Sequence, residues 1–369
     1  MYEIFRILRC VMKNIALLIC FLLTSVCCFA QSSDNPMRSP IDSAVAKLMI
    51  AYMQEGKRVG ISIGINYKGK SYTYNYGETA PGSKKLPSSN SIYEIGSITK
   101  TFTGLLIAHA ITEGKMSLND DIRKFLPGNF PNLQYKNGGP VKIGYLLAHT
   151  AQFPNSFGNV SGKPIETPTF LDSLRQVKLD SLKSFRYAYS NVGYQLLGLI
   201  LENIYQKTYY QLISQYITSP LGMVRTALNY SVKYANGQLS GYGADREAVG
   251  NMPGTLPGAG SLHSSVSDML KYLKYQNVEN NPALKLSHRI ITGDIDNGAH
   301  AFQWEIGKTW NWDQYLRVDG GTNGFRSFCL IYPLSQIEIV ILSNQKDDSA
   351  GVGLYRVASG IYKVVKEIK

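Results

Sequence analysis

A serine and a lysine three residues apart, Ser97-Ile98-Thr99-Lys100, open a helical pattern that runs to Glu113 and stops at Gly114. At that spacing both side chains lie on one face of the helix. A serine hydroxyl is a poor nucleophile near neutral pH and needs a base within hydrogen-bond reach. Lys100 can be that base if burial or a neighbouring cation depresses its pKa. Ser97, at the helix start, also gains the positive end of the helix dipole. The pair predicts nucleophilic catalysis through an acyl-enzyme on Ser97. A second Ser-x-x-Lys, at Ser343-Asn344-Gln345-Lys346, follows a strand pattern and opens no helix, so it reads as a loop. A short motif with two copies carries little weight alone.

Two further runs carry compatible chemistry. Tyr189-Ser190-Asn191 sits where a turn enters a helix. A phenol beside a lysine can relay a proton to a leaving group, and an amide can orient the nucleophile, the lysine or a substrate carbonyl. Tyr-x-Asn also occurs at Tyr135, Tyr234 and Tyr275, and only the flanks single out Tyr189. The third run is Asp319-Gly320-Gly321-Thr322-Asn323-Gly324-Phe325-Arg326-Ser327. Glycines beside a strand let a substrate approach the backbone. One N–H there, with that of Ser97, can form an oxyanion hole. Taken alone the run reads as a glycine-rich hairpin.

The elements that must position these groups follow from periodicity. Helical spacing covers Ile41–Met53, and alternating runs at Val59–Tyr67 and Ser71–Tyr76 flank a Lys68-Gly69-Lys70 turn, a hairpin signature. Residues 115–285 hold helical patterns at 141–149, 192–206, 208–217 and 265–276, with no clean strand ladder. Strand patterns return at Ala301–Lys308, Tyr315–Val318, Phe325–Tyr332 and Ile337–Ser343, and a helix over 350–367 follows. The expected class is α+β: an antiparallel sheet with terminal helices packed on it and an inserted, mostly helical lobe. Residues 31–369 are expected to form one domain, with a sheet lobe over 31–114 and 286–369 and a helical lobe over 115–285. The cleft between lobes is a favoured small-molecule site.

Residues 1–30 read as a cleavable signal peptide. Arg6, Arg9 and Lys13 precede an apolar run from Ile15 to Phe29, and small residues stand before Gln31. The run is shorter than a membrane span needs, and the alternative is an uncleaved anchor. Four of the five cysteines lie in this segment, leaving Cys329, in an apolar strand pattern, as a small buried hydrophobe. A mature chain without disulfides is compatible with a periplasm. The net charge of +12 is dispersed, without a basic stripe or motif for nucleic acid. It suits an anionic envelope or anionic substrates. The five histidines lack metal-ligand spacing. His149 reads as a brace at a helix end, His263 as a loop residue and His109 as packed or solvated. Asp120, Asp121 and Asp268 read as helix-start residues.

Taken together, the three runs resemble the serine β-lactamase and D-Ala-D-Ala carboxypeptidase superfamily, in its class C and esterase-like branch. Leu146-Leu147-Ala148-His149-Thr150, Ser219-Pro220-Leu221-Gly222-Met223 and the run from Gly258 to Met269 add to the likeness. The resemblance spans residues 42–365. It implies Ser97 as nucleophile, Lys100 as base, Tyr189 as proton relay and Asn191 as orienting amide. It implies the N–H groups of Ser97 and Gly321 as oxyanion donors, beside Gly320, and neither metal nor organic cofactor. The implied substrate is a small molecule or peptide, such as a β-lactam or a peptidoglycan-derived D-amino-acid peptide. The family's third motif usually begins with Lys or His, and here that position is Val318, with Asp319 next. Val318 supplies no cation for a substrate carboxylate. It keeps open a small-ester carboxylesterase and a non-catalytic envelope-binding protein on the same scaffold. The usual His-Thr-Ser-Gly turn reads His149-Thr150-Ala151-Gln152.

Overall fold

The computed structural model describes residues 32–368 apart from 56–57, 159–165, 183–185, 229–236, 251–256, 279 and 347–348. The expected leader and Tyr234 lie outside the described residues.

Eight strands form one antiparallel sheet. They are β1 (Gly60–Tyr67), β2 (Lys70–Gly77), β7 (Thr292–Asp294), β8 (Gly298–His300), β9 (Glu305–Lys308), β10 (Gln314–Gly321), β11 (Arg326–Tyr332) and β12 (Ile337–Ser343), in the order β2-β1-β12-β11-β10-β9-β8-β7. Two-residue pairs, β3 (Tyr93–Glu94) with β6 (His263–Ser264) and β4 (Gly241–Tyr242) with β5 (Ala248–Val249), lie outside it. The central strands are apolar on both faces because both faces are covered. Ile337, Ile339 and Ile341 face the helices α1 (Pro40–Gln54) and α10 (Ala350–Glu367), while Val340 and Leu342 join the core on the other side. On that side α8 (Val266–Val278) crosses β1 at Gly64, where a Cβ would press on Val266 and Leu270.

The second core surrounds α2 (Thr99–Thr112), a helix buried almost all round. Such a helix belongs in an interior. Around it lie α3 (Ile143–Leu147), α4 (Thr167–Leu174), α5 (Asn191–Tyr205), α6 (Tyr209–Ile213), α7 (Pro257–Gly260) and α9 (Pro282–Ser287). This is the expected α+β class, an antiparallel sheet with terminal helices beside a mostly helical region. Helix α8, although it falls within residues 115–285, lies on the sheet. Cys329 is a free, fully buried thiol in the core. Among the described residues no helix is long and apolar enough to cross a membrane.

Three local expectations are corrected. The strand expected over Ala301–Lys308 is confined to β9, because Ala301–Trp304 is a turn in which Gln303 adopts φ +78°. The strand expected to stop at Val318 continues to Gly321, since paired glycines keep extended backbone in register with Ser327 and Arg326. The helix expected from Ser97 begins as a 3-10 turn, Gly96–Ile98, before α2.

Candidate active site

From Ser91 to Ala108 every residue is buried except Ser97, which is partly open to solvent. Ile95 and Ile98 have no exposure and pin the 3-10 turn from either side. Gly96 makes the turn possible: its φ is +50°, and a Cβ there would come 2.6 Å from the Gly321 nitrogen. A side chain is strained at such an angle. The opposing strand is equally close. A Cβ on Gly320 would strike the Ile95 carbonyl and lie 3.0 Å from the Ser97 nitrogen. Ser327 completes the seam by donating to the Ile95 carbonyl at 2.8 Å. The N–H groups of Ser97 and Gly321 are thus held on adjoining backbones by three glycines.

The other predicted residues converge on Ser97. Its Oγ lies 2.6 Å from the Tyr189 hydroxyl and 3.0 Å from Lys100 Nζ. Lys100 is fully buried and also donates to Asn191 Oδ1 at 2.7 Å and to the Ala259 carbonyl at 2.6 Å. The Tyr189 ring lies 4.8 Å from Nζ. Burial drives the Lys100 pKa well below its ordinary value, and the Asp319 charge opposes this only in part. Burial raises the Tyr189 pKa, against the bond from Ser97. Burial favours the neutral form of Lys100, which can keep its two N–H bonds to Asn191 and Ala259 and turn its lone pair to Ser97. A protonated Tyr189 has a proton to give. This arrangement can deprotonate Ser97 for attack on a carbonyl, hold the developing oxyanion on two backbone N–H groups and protonate a leaving group.

Local sequence explains how Tyr189 and Asn191 are aimed. Ser190 is the N-cap of α5, accepting from the Gly193 N–H at 3.0 Å and donating to the Pro154 carbonyl at 2.8 Å. Asn191 donates its amide to Asn155 Oδ1 at 2.9 Å, which leaves Oδ1 for Lys100. His149 is the expected brace. Its Nδ1 accepts from the Ser190 N–H at 3.0 Å, its Nε2 lies 2.9 Å from Gln303 Oε1, and its ring packs 4.6 Å from that of Tyr189. Sequence reasoning missed Asn155 and Gln303, which have no motif of their own, and gave Ala259, within the Gly258–Met269 run, no role at Lys100.

The cleft above Ser97 has a volume of about 470 Å³. Strand alternation turns Val318 and Gly320 inward and Asp319 and Gly321 outward. Asp319, Arg317 and Glu305 line the cleft, with Arg317 and Glu305 paired at 2.5 Å. Partial desolvation by the cleft walls raises the pKa of the outward-facing Asp319, while Arg317 lowers it. Arg326 lies across the outward face of Gly321, where a Cβ would collide with its guanidinium. These charges could have been suspected from the period of two along β10. His263 is buried beside Glu94 in the β3–β6 pair, away from the residues lining this cleft. Among the described residues no group of three or more His, Cys, Asp or Glu side chains is placed to hold a metal.

A family model for beta-lactamase matches residues 45–360. The chain belongs to the beta-lactamase family. Relatives include the Flp protein of Staphylococcus aureus strain MRSA252, 30% identical over 315 residues, or 79% of this chain and 60% of that protein. Another is a beta-lactamase of Pseudomonas fluorescens, 25% identical over 362 residues, 85% of this chain and 95% of the relative. The chain spans about three-fifths of the length of the Flp proteins it matches. Among solved structures, a class C beta-lactamase superposes with TM-score 0.79 at 22% identity, covering 91% of this chain and 99% of the other. A beta-lactamase/D-alanine carboxypeptidase from Pseudomonas syringae gives 0.75 at 24%, covering 88% and 99%. The family match and the solved structures agree on the fold.

Within this beta-lactamase-family chain, Val318 is buried and lines the cleft as an apolar surface at the position where the family usually carries a cation. Gln152 takes φ +63°, so the turn after His149 keeps a left-handed residue although glycine is absent.

Two predictions follow from this geometry. Gly320→Ala pushes a methyl into backbone on both sides of the seam. It is expected to lower stability by roughly 1–3 kcal/mol in urea denaturation and to remove Ser97-dependent labelling by active-site probes. Gly321→Ala meets only the Arg326 side chain and is expected to be the milder change. The second concerns His149, which burial pushes down to about 4 from an ordinary 6.5. Between those values the unfolded chain binds more protons, so this stabilisation is present above pH 6.5 and is lost as pH falls towards 4. The loss amounts to roughly 3 kcal/mol. Denaturation at stepped pH should show a flatter acid limb in His149→Gln than in the parent.

Proposed function

We propose that the protein is an acyl-transferring serine hydrolase that forms its acyl-enzyme on Ser97, on an amide or ester of the β-lactam or D-amino-acid-peptide type. The observation that carries this reading is a single partly exposed hydroxyl held 2.6 Å from a protonated phenol and 3.0 Å from a buried amine. Lys100 takes the Ser97 proton as Oγ bonds to the carbonyl carbon. The tetrahedral oxyanion rests on the N–H groups of Ser97 and Gly321. Tyr189 gives its proton to the departing nitrogen or oxygen and regains one from Lys100 through the site. Water then attacks the acyl-enzyme, restoring Ser97. Export to the periplasm and a peptidoglycan-derived substrate belong to this proposal, supported by the leader pattern and the positive charge.

A second reading, a small-ester carboxylesterase, is favoured by Val318 and Asp319. An apolar side chain replaces the cation that would hold a substrate carboxylate, and a carboxyl group stands beside it.

The deciding experiment treats the protein and Ser97→Ala with a fluorescent penicillin, a fluorophosphonate and p-nitrophenyl acetate. Penicillin labelling that needs Ser97 supports the leading reading. Ester turnover without it supports the esterase. No Ser97-dependent reaction with any probe overturns both and leaves a binding protein. Where turnover is found, kcat/KM should rise with pH to a plateau as Lys100 loses its proton. Lys100→Arg, which stays charged, should lose at least about a hundredfold. Val318→His restores a cation at the third motif and is expected to improve reaction with carboxylate-bearing substrates over neutral esters. An unchanged ratio would show that Val318 does not set this preference.

A further inference from the structure

Four of the six turns joining neighbouring strands of the main sheet, β1–β2, β7–β8, β9–β10 and β11–β12, lie at the sheet end opposite Gly321. Three of them carry an unusual surface. Two of the chain's three tryptophans, Trp310 and Trp312, stand on the β9–β10 turn with 92% and 72% exposure. Leu334, on the β11–β12 turn, is 81% exposed. Scattered exposed apolar residues are ordinary, but two indoles and a leucine on adjacent turns form a patch.

The indoles are held out by a rigid turn. The Thr309 N–H donates to the Asp313 carbonyl at 2.9 Å, and the Trp312 N–H donates back to the Thr309 carbonyl at 3.0 Å. Trp312 has φ +65°, a costly angle for a bulky side chain. The buried Asp313 carboxylate bolts the turn to its neighbours, accepting from Ser335 at 2.5 Å, Tyr362 at 2.7 Å and Lys366 at 3.0 Å. Ser335 adjoins Leu334, so this bond also fixes the leucine beside the tryptophans.

The patch is bordered by cations. Lys308 Nζ lies 3.5 Å from the Trp312 ring centroid, although it also pairs with Asp296. Lys363 and Lys366 line the groove between the turn and α10, and the neighbouring β1–β2 turn contributes Lys68 and Lys70. An indole is apolar with one polar N–H, and a lysine has an apolar stem with a charged tip. Together they match the boundary between acyl chains and anionic headgroups. A glycan would also stack on indoles, but it does not call for the lysines or the leucine.

We infer that this turn-bearing end of the sheet docks on an anionic phospholipid bilayer, with Trp310, Trp312 and Leu334 entering the headgroup–acyl boundary and the lysines meeting lipid phosphates. Docked this way, the catalytic seam at Gly321 stands away from the lipid by roughly the length of β10, about 25 Å. The inference does not rest on the Ser97 chemistry.

Tryptophan emission tests it directly. Trp304 is buried, and residues 1–31 contain no tryptophan, so insertion of the amino-terminal apolar run would leave the signal unmoved. The full chain is titrated with vesicles of phosphatidylcholine alone or mixed with phosphatidylglycerol. The expected result is a blue shift and quenching by brominated lipid on the mixed vesicles, reversed by high salt. Trp310→Ser/Trp312→Ser should lose both responses while keeping its denaturation midpoint. Lys363→Gln should weaken vesicle affinity about fivefold. Unchanged emission on anionic vesicles overturns the inference, as does equal binding to neutral vesicles. A blue shift on isolated peptidoglycan sacculi without one on vesicles would assign the surface to glycan and likewise overturn it.

Discussion

An amine taken wholly out of water must find acceptors for its N–H groups or give up its charge. Lys100 meets both conditions, and much of the site is arranged around that requirement. Its hydrogen-bond partners come from three separate places: the Ser97 turn, the first residue of α5 and the carbonyl of Ala259 in α7. Satisfying one buried nitrogen therefore fixes three elements of the helical region against each other. The same burial that makes the amine costly also makes it basic without charge, which a nucleophilic serine needs.

The second constraint is the close approach of two backbones. The Gly96 turn and the Gly320-Gly321 end of β10 come nearer than side chains permit. That contact joins the helical region to the sheet and sets the backbone N–H groups of Ser97 and Gly321, the oxyanion donors of the proposed mechanism, on adjoining backbones. Around it lies a supporting layer in which His149 and Ser190 hold the Tyr189 and Asn191 segment, with Gln303 reaching across from a left-handed turn. The chemistry proposed for Ser97 depends on this layer as much as on the residues that touch it.

Much of the architecture was legible from local pattern. The run Ile337–Ser343 matches β12 at both ends, and the Lys68-Gly69 turn joins β1 to β2 as its glycine suggested. Ser97, Lys100, Tyr189, Asn191, Gly320 and Gly321 all fall at one place. Less legible were features set by a single backbone angle or a neighbour distant in sequence. Gln303 ends a strand pattern that its composition would have continued, and its side chain then braces His149. Asn155 lies in a polar loop with nothing around it to mark its bond to Asn191.

Residue types and spacings determined which groups could react and which segments would be helix or strand, because i, i+3 neighbours and alternating faces follow from local geometry alone. Only the tertiary structure decided that Tyr189, 92 residues beyond Ser97, comes within 2.6 Å of it. It alone decided that Lys100 is dry, and that Arg317, Asp319 and Arg326 line the cleft beside the uncharged Val318. A pKa depends on what covers a group, and a specificity wall depends on which strand faces meet. Both are consequences of packing between segments far apart in the chain, which no local spacing encodes.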